Sequence, residues 1–362
     1  MKREKKLWWA FILVVVLSFS VLLYYGYEIY QVSPPIPEKI VDESGELIFT
    51  EQDIKDGQNI WQSIGGQEVG SIWGHGAYVA PDWTADWLHR EALHILDIYS
   101  KNEFSKPYNE IGEDQQAMLA TRLKSKIRKN TFDAASNTIT IDADRVSAIK
   151  ALSEYYKGLF TNDPKFDQLR KDYAIPVNSI KDEARMHKMN AFFFWATWAT
   201  VTERPDSKVS YTHNWPNEKL VGNEMTMDLL AWSGVSIILL IFCVGALVLW
   251  QVRAGAEDEL LYPAEDPLLR QEVTPSMKLV KKYFWVVSLL MLVQVGLGIV
   301  TAHYGVEGDG LYGIPIDQFL PYSVTRTWHT QLAIFWIATA WLATGLYIAP
   351  AVSGKDPKFQ VF

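Results

Sequence analysis

The sequence predicts a membrane α-helical protein in which four transmembrane helices carry a mixed α/β, mainly helical, extracytoplasmic domain. Three observations predict it. Four apolar runs of about twenty residues stand apart in a chain of 362 residues whose overall mean hydropathy is near zero. Lys and Arg flank these runs on alternate sides, as the positive-inside rule requires of a chain that crosses back and forth. Between the first two runs, residues 26–226 switch between helical and alternating patterns typical of a water-exposed mixed domain.

Residues 1–6 form a cytoplasmic basic start containing Lys2, Arg3, Lys5 and Lys6, and residues 7–25 form transmembrane helix 1. A signal peptide begins in the same way, with a shorter apolar core and a small-residue cleavage site. Here the run leads into Tyr24, Tyr25, Tyr27 and Tyr30, which read as an interfacial anchor. Residues 26–226 are the outer domain. In it, Ser33-Pro34-Pro35-Ile36-Pro37 is a stiff linker away from the bilayer. Asp42 to Thr50 predicts a hairpin turning at Ser44-Gly45, and Thr50 with Asp53 caps a helix running through Ser63. Helical periodicity recurs over about 84–102, 113–129, 143–160 and 182–202, and Phe132 to Asp142 alternates like a hairpin turning at Ser136-Asn137.

The stretch Ala191 to Val201 is intensely apolar but too short to span. It is either a buried core helix or a helix resting against the membrane. Residues 227–250, 283–302 and 328–348 are transmembrane helices 2, 3 and 4. At 1.5 Å per residue each crosses roughly 30 Å of hydrocarbon. Residues 251–282 are then a cytoplasmic loop, 303–327 an outer loop and 349–362 a cytoplasmic end.

A net charge of −8 argues against nucleic acid as a partner, because a phosphate-binding surface needs a basic face. The aromatic content of 13% suits belts at two membrane interfaces, or a large aromatic core. Cys243, the single cysteine, lies inside an apolar run. That leaves no internal disulfide, no Cys-x-x-Cys metal site and no covalently attached haem c.

His329 stands at the outer end of the fourth run, in its first turn, just after Arg326. An ionisable group there needs a partner, and imidazole is a common axial ligand of haem iron. The plainer reading is an interfacial, hydrogen-bonded histidine. His303 and Glu307 close the third run on the same outer side, four residues apart, on one face if the helix outlasts Gly305. A histidine and a carboxylate at a membrane surface suit acceptance of the two protons of a quinol, although an ordinary polar helix end looks the same. The following Gly308 to Pro315 has the composition of a tight re-entrant connection. Gly74-His75-Gly76-Ala77-Tyr78-Val79-Ala80-Pro81 is a glycine-rich turn: a plain tight loop, or one whose carbonyl ligates a hard cation such as calcium.

Several stretches together resemble the quinol-dependent nitric oxide reductases of the haem-copper oxidase superfamily, in their amino-terminal portion. They are Gly57 to Trp83 continuing to Ala92, Phe192 to Trp195, Tyr211-Thr-His-Asn-Trp-Pro216, Thr301-Ala-His-Tyr304 and Pro321 to Trp336. The resemblance implies that residues 1–226 correspond to a membrane-anchored cytochrome c-like subunit fused to the haem-bearing one. The extracytoplasmic domain would then resemble a cytochrome c fold lacking haem c, since no cysteine precedes Gly74 to Pro81. It further implies His329 as an axial ligand of low-spin haem b, His303 and Glu307 as quinol-binding, and the Gly76 carbonyl as a calcium ligand.

For the complete enzyme, the resemblance implies a second haem b, in a binuclear centre with a non-haem iron, and calcium. No catalytic residue of that centre falls in this chain. The chain is therefore expected to be truncated and inactive alone. The implied activity is quinol-dependent reduction of nitric oxide to nitrous oxide in a bacterial inner membrane, with residues 26–226 facing the periplasm or cell exterior. Partners are membrane quinol, nitric oxide and the lipid bilayer, with a homodimer left open. The alternatives are a quinol oxidase reducing oxygen, or a membrane-anchored, non-catalytic binding or assembly module.

Overall fold

A computed structural model describes residues 2–77, 79–254, 272–307, 314 and 316–356, without the side chains of 2–4, 7, 254, 305–307 and 317. The chain divides into two compact units, Met1–Gln58 with Gly66–Leu230, and Asn59–Gly65 with Ala231–Phe362.

The helices long and apolar enough to span are α1 (Lys2–Gln31), α8 (Met227–Ala254), α10 (Lys281–Glu307) and α11 (Tyr322–Ser353). The short α9 (Pro275–Leu279), capped by Thr274, precedes α10. At most 6% of any apolar window among the spanning helices is buried. Helices apolar all round, with their backbone hydrogen bonds satisfied internally, are solvated by lipid. All four outrun their apolar cores, because a helix ends where its backbone is stopped and not where hydropathy falls. In α11 the stop is Pro321 at the N-cap, so the helix begins at Tyr322 and not at the expected Trp328; Gly354 closes the other end with φ 63°. This corrects the position of His329, which lies in the third turn and not the first. Gly305 does not end α10, which runs on to Glu307.

In the outer domain the two expected hairpins form, and they join. β1 (Lys39–Asp42) pairs antiparallel with β2 (Leu47–Thr50), and β5 (Phe132–Asp133) pairs antiparallel with β6 (Thr138–Ile141). A parallel ladder between β1 and β6 then gives one sheet in the order β2-β1-β6-β5. Short polar side chains shape the turns. Asp42 Oδ1 accepts from the Ser44 and Glu46 amides at 2.8 Å each, and Asp133 accepts from the Ala135 amide and the Ser136 hydroxyl. Thr50 and Asp53 cap α2 (Glu51–Ser63) reciprocally, each accepting from the other's amide.

The helices of this domain are, after α2, α3 (Trp83–Phe104), α4 (Glu113–Ile127), α5 (Ala143–Phe160), the short α6 (Asp167–Asp172) and α7 (Glu183–Val201). Every residue from Ala191 to Val201 is buried, so of the two readings of this stretch the core helix holds. Aromatic faces fill the space between α3, α5 and α7. Trp83 stacks on Phe193 at 5.7 Å, and Trp87 stacks on Tyr156 at 5.3 Å. A second apolar cluster, with Leu88, Leu96, Leu119 and Leu123 at its centre, joins α3 to α4.

Candidate functional site

The outer domain presents its glycine-rich turn through the small ribbon β3 (Ser71–Ile72) and β4 (His75–Gly76). Asp82, the N-cap of α3, organises it. One carboxylate oxygen accepts from the Ala85 amide and the Thr84 hydroxyl, and the other accepts from the Gly74 amide and the Ser71 hydroxyl at 2.7 Å each. Gly76 is exposed with φ +146°, and a Cβ there would fall 2.3 Å from the Gly70 carbonyl oxygen. Its backbone thus has a packing reason to be glycine. Tyr78 lies outside the described residues.

Beside this turn, Gly74 packs against the Trp215 ring from the Tyr211–Pro216 segment, whose Trp215–Pro216 bond is cis. Arg128 ties that segment down from beneath, donating to Glu203, Asn214 and Asn223. Burial and the neighbouring Arg204 guanidinium push the His213 imidazole down from the ordinary histidine value, with Asp228 opposing them.

In the membrane unit, α10 and α11 pack antiparallel. Near their connected ends the buried Tyr304 donates its hydroxyl to the Leu320 carbonyl and meets Tyr322 edge-on at 5.6 Å. His329 lies about 10 Å further along α11, seven residues on at 1.5 Å per residue. There its half-buried ring turns onto α10, with Nδ1 2.9 Å from the Gln294 backbone carbonyl. A carbonyl only accepts, so Nδ1 carries the proton. A neutral imidazole with its proton on Nδ1 has an unprotonated Nε2, the form in which imidazole binds a metal.

The Gln294 side-chain amide nitrogen lies 3.4 and 3.5 Å from the two ring nitrogens. With Nδ1 donating to the carbonyl, Nε2 is the ring's one acceptor, so the Gln294 amide can donate only to it, over a long 3.5 Å contact. Gly298, one turn from Gln294, leaves the space the ring occupies: a Cβ there would fall 2.7 Å from His329 Cε1.

His303 is half-buried on α10, five residues beyond Gly298 and hence about 7 Å nearer the loop. Glu307 continues the same helix, and four residues' spacing puts the two positions on one face. The Glu307 side chain, the Gly308 to Gly313 loop and Pro315 lie outside the described residues. Among the described residues no cluster of three or more His, Cys, Asp or Glu side chains is placed to hold a metal ion. Gln294 and Gly298 were not anticipated from sequence. The signal was a lone amide side chain in an apolar run with a glycine four residues on, a polar group in lipid that demands a partner.

The chain thus joins apolar helices long enough to cross a membrane, a histidine held between two of them, and a compact mixed α/β domain. Comparison with protein families makes this specific. The family of the cytochrome c-like domain of the nitric oxide reductase NorB matches residues 37–217, half of the chain, and that of cytochrome c and quinol oxidase polypeptide I matches residues 278–362. The chain belongs to the haem-copper oxidase family, among its nitric oxide reductase-like members. Among curated proteins none matches it. Membership implies haem b and further metal cofactors in the complete protein. The donor chemistry at His329 fits an axial haem ligand: Nδ1 is anchored on a main-chain carbonyl, Nε2 accepts only a long contact from a side-chain amide that can turn away, and the ring is seated on a glycine.

Proposed function

We propose that this chain is the electron-intake portion of a quinol-dependent nitric oxide reductase. The observation that carries the reading is His329, held by the Gln294 carbonyl with Nε2 available as an axial ligand of low-spin haem b. Haem b, when bound, supplies one-electron transfer. The chain's own part is to fix the ligand ring and, at His303 and Glu307, to contact the quinol and take up its protons. The overall conversion would take two nitric oxides, two electrons and two protons to nitrous oxide and water, with catalysis at a haem and non-haem iron centre built by other residues.

The same reading puts the amino terminus on the cytoplasmic side of a bacterial inner membrane and residues 26–226 on the periplasmic or external side. It is supported by the basic flanks of the spanning helices. It also gives the Gly76 carbonyl a share in a calcium site. The exposed position of Gly76 on β4 is compatible with that share.

In the complete enzyme, His329→Ala should abolish the low-spin haem b signal in the reduced-minus-oxidised spectrum. An unchanged spectrum would remove the ligand assignment. Replacing His303 or Glu307 should slow quinol-driven turnover several-fold and spare turnover with an artificial electron donor. Equal loss with both donors would count against a quinol site. A quinol oxidase reducing oxygen is the rival on the membrane helices alone, and gas-uptake measurements with nitric oxide and oxygen in turn separate the two. The match of the outer domain favours nitric oxide.

A further inference from the structure

We propose that Gly298 and the Gln294 main chain form a cradle that sets the plane of the His329 imidazole, making both positioning residues for the haem ligand. The proposal rests on His329 being that ligand.

Two constraints hold the ring. An imidazole bound through Nε2 is free to rotate about the bond to the metal unless its far side is held, and the hydrogen bond from Nδ1 supplies one hold. In this chain the acceptor is a main-chain carbonyl of α10, 2.9 Å away, so it survives any change of the Gln294 side chain. The second hold is steric. The ring edge bearing Cε1 and Nδ1 lies where a side chain at 298 would begin: an added Cβ would stand 2.7 Å from Cε1, 2.9 Å from Nδ1 and 3.6 Å from Nε2. Contacts under about 3 Å between such atoms are repulsive, so ring or helix must shift.

Glycine is otherwise a poor residue for a helix interior, and a second glycine on α10 supplies the matched control. Gly296 on the same helix has nothing within 4 Å of the place its Cβ would take. The space at 298 is specific to His329.

The test uses the full-length enzyme and two single variants of one chemistry, Gly298→Ala and Gly296→Ala. The readouts are low-spin haem per chain, the ferric low-spin resonance in electron paramagnetic spectra, the haem midpoint potential and the thermal melting of helix. Gly298→Ala should shift the low-spin resonance and potential, or lower low-spin haem content by about tenfold, the scale on which groups supporting a metal ligand act. Gly296→Ala should leave all of these unchanged. Gln294→Leu, which keeps the carbonyl, should also retain the low-spin resonance.

If Gly298→Ala fails to accumulate, the double variant G298A/H329A decides. Removing the embedded ring should restore accumulation to the level of H329A alone, whereas continued failure would overturn the cradle. An unchanged resonance and potential in Gly298→Ala would overturn it too. These outcomes are distinct from failure of the ligand reading, which would appear as a normal low-spin signal in His329→Ala.

Discussion

Arg145 and Glu91 meet in the core of the outer domain, with Nε 2.6 Å from Oε1 and the Glu91 side chain fully buried. Arg145 Nη2 and Glu91 Oε2 find no further partner among the described residues. Taking two charges out of water is offset only by their mutual attraction, so removing one leaves the other stranded. Arg145→Met should therefore destabilise the domain by about 3–5 kcal/mol, while replacing both by apolar residues of similar volume should recover most of that. Chemical denaturation of the two variants measures it, and equal losses would show that the pair contributes little as a pair.

Two tyrosines couple the stability of the domain to alkaline pH. Burial pushes the Tyr99 and Tyr155 phenols up to about 12, with Asp144 reinforcing the shift at Tyr99 and Arg90 opposing it at Tyr155. The fold favours the neutral phenol, so this contribution is complete below the unfolded value of 10.0 and is lost as pH rises through about 12. Stability should fall across that window, with tyrosinate absorbance rising as the domain unfolds. Tyrosinate forming at its ordinary pH with no loss of structure would contradict the burial argument.

Among the elements, those governed by local chemistry were legible in the sequence and those governed by distant partners were not. The Thr50–Asp53 cap, the Asp42 turn and the helical period of Ala143 to Phe160 each depend on residues a few positions apart. The parallel pairing of Lys39–Asp42 with Thr138–Ile141 has no local signature, since either strand alone looks like half of its own hairpin. The same limit applied at the site. His329 was visible as a polar residue in an apolar run, but Gln294 and Gly298 acquire meaning only when α10 lies beside α11. The ladder also carries a prediction. Ile40 and Ile139 are register partners and are both completely buried, so Ile40→Ala should cost about 2–5 kcal/mol in unfolding experiments. A loss under about 1 kcal/mol would mean that the sheet interior relaxes around the cavity.

The whole molecule combines parts made for two solvents. The spanning helices turn large apolar side chains outward, such as Trp9, Phe242, Leu292 and Trp341, while the outer domain keeps Trp83, Trp87 and Trp198 wholly inside. A near-zero mean hydropathy conceals this division, and the clustering of apolar residues reveals it. Cys243, the single cysteine of the sequence, lies exposed on the apolar helix α8, so the two thioethers of a Cys-x-x-Cys-His haem cannot form on this chain. Acidified acetone should therefore strip all haem from the purified protein, leaving colourless polypeptide. Haem that stays with the chain would contradict coordination as its only attachment.

The ladder between β1 and β6 also bears on how the protein is made. Its two strands are separated by about a hundred residues, which take roughly 5–20 s to synthesise. Through that interval the first strand, emerging directly behind a membrane anchor, waits with one edge unpaired and open to any neighbouring chain. Its early partner is β2 alone, and a lone hairpin is marginal in water. Biogenesis thus has a vulnerable period set by topology, and export that stalls within it would release a nascent chain prone to aggregate.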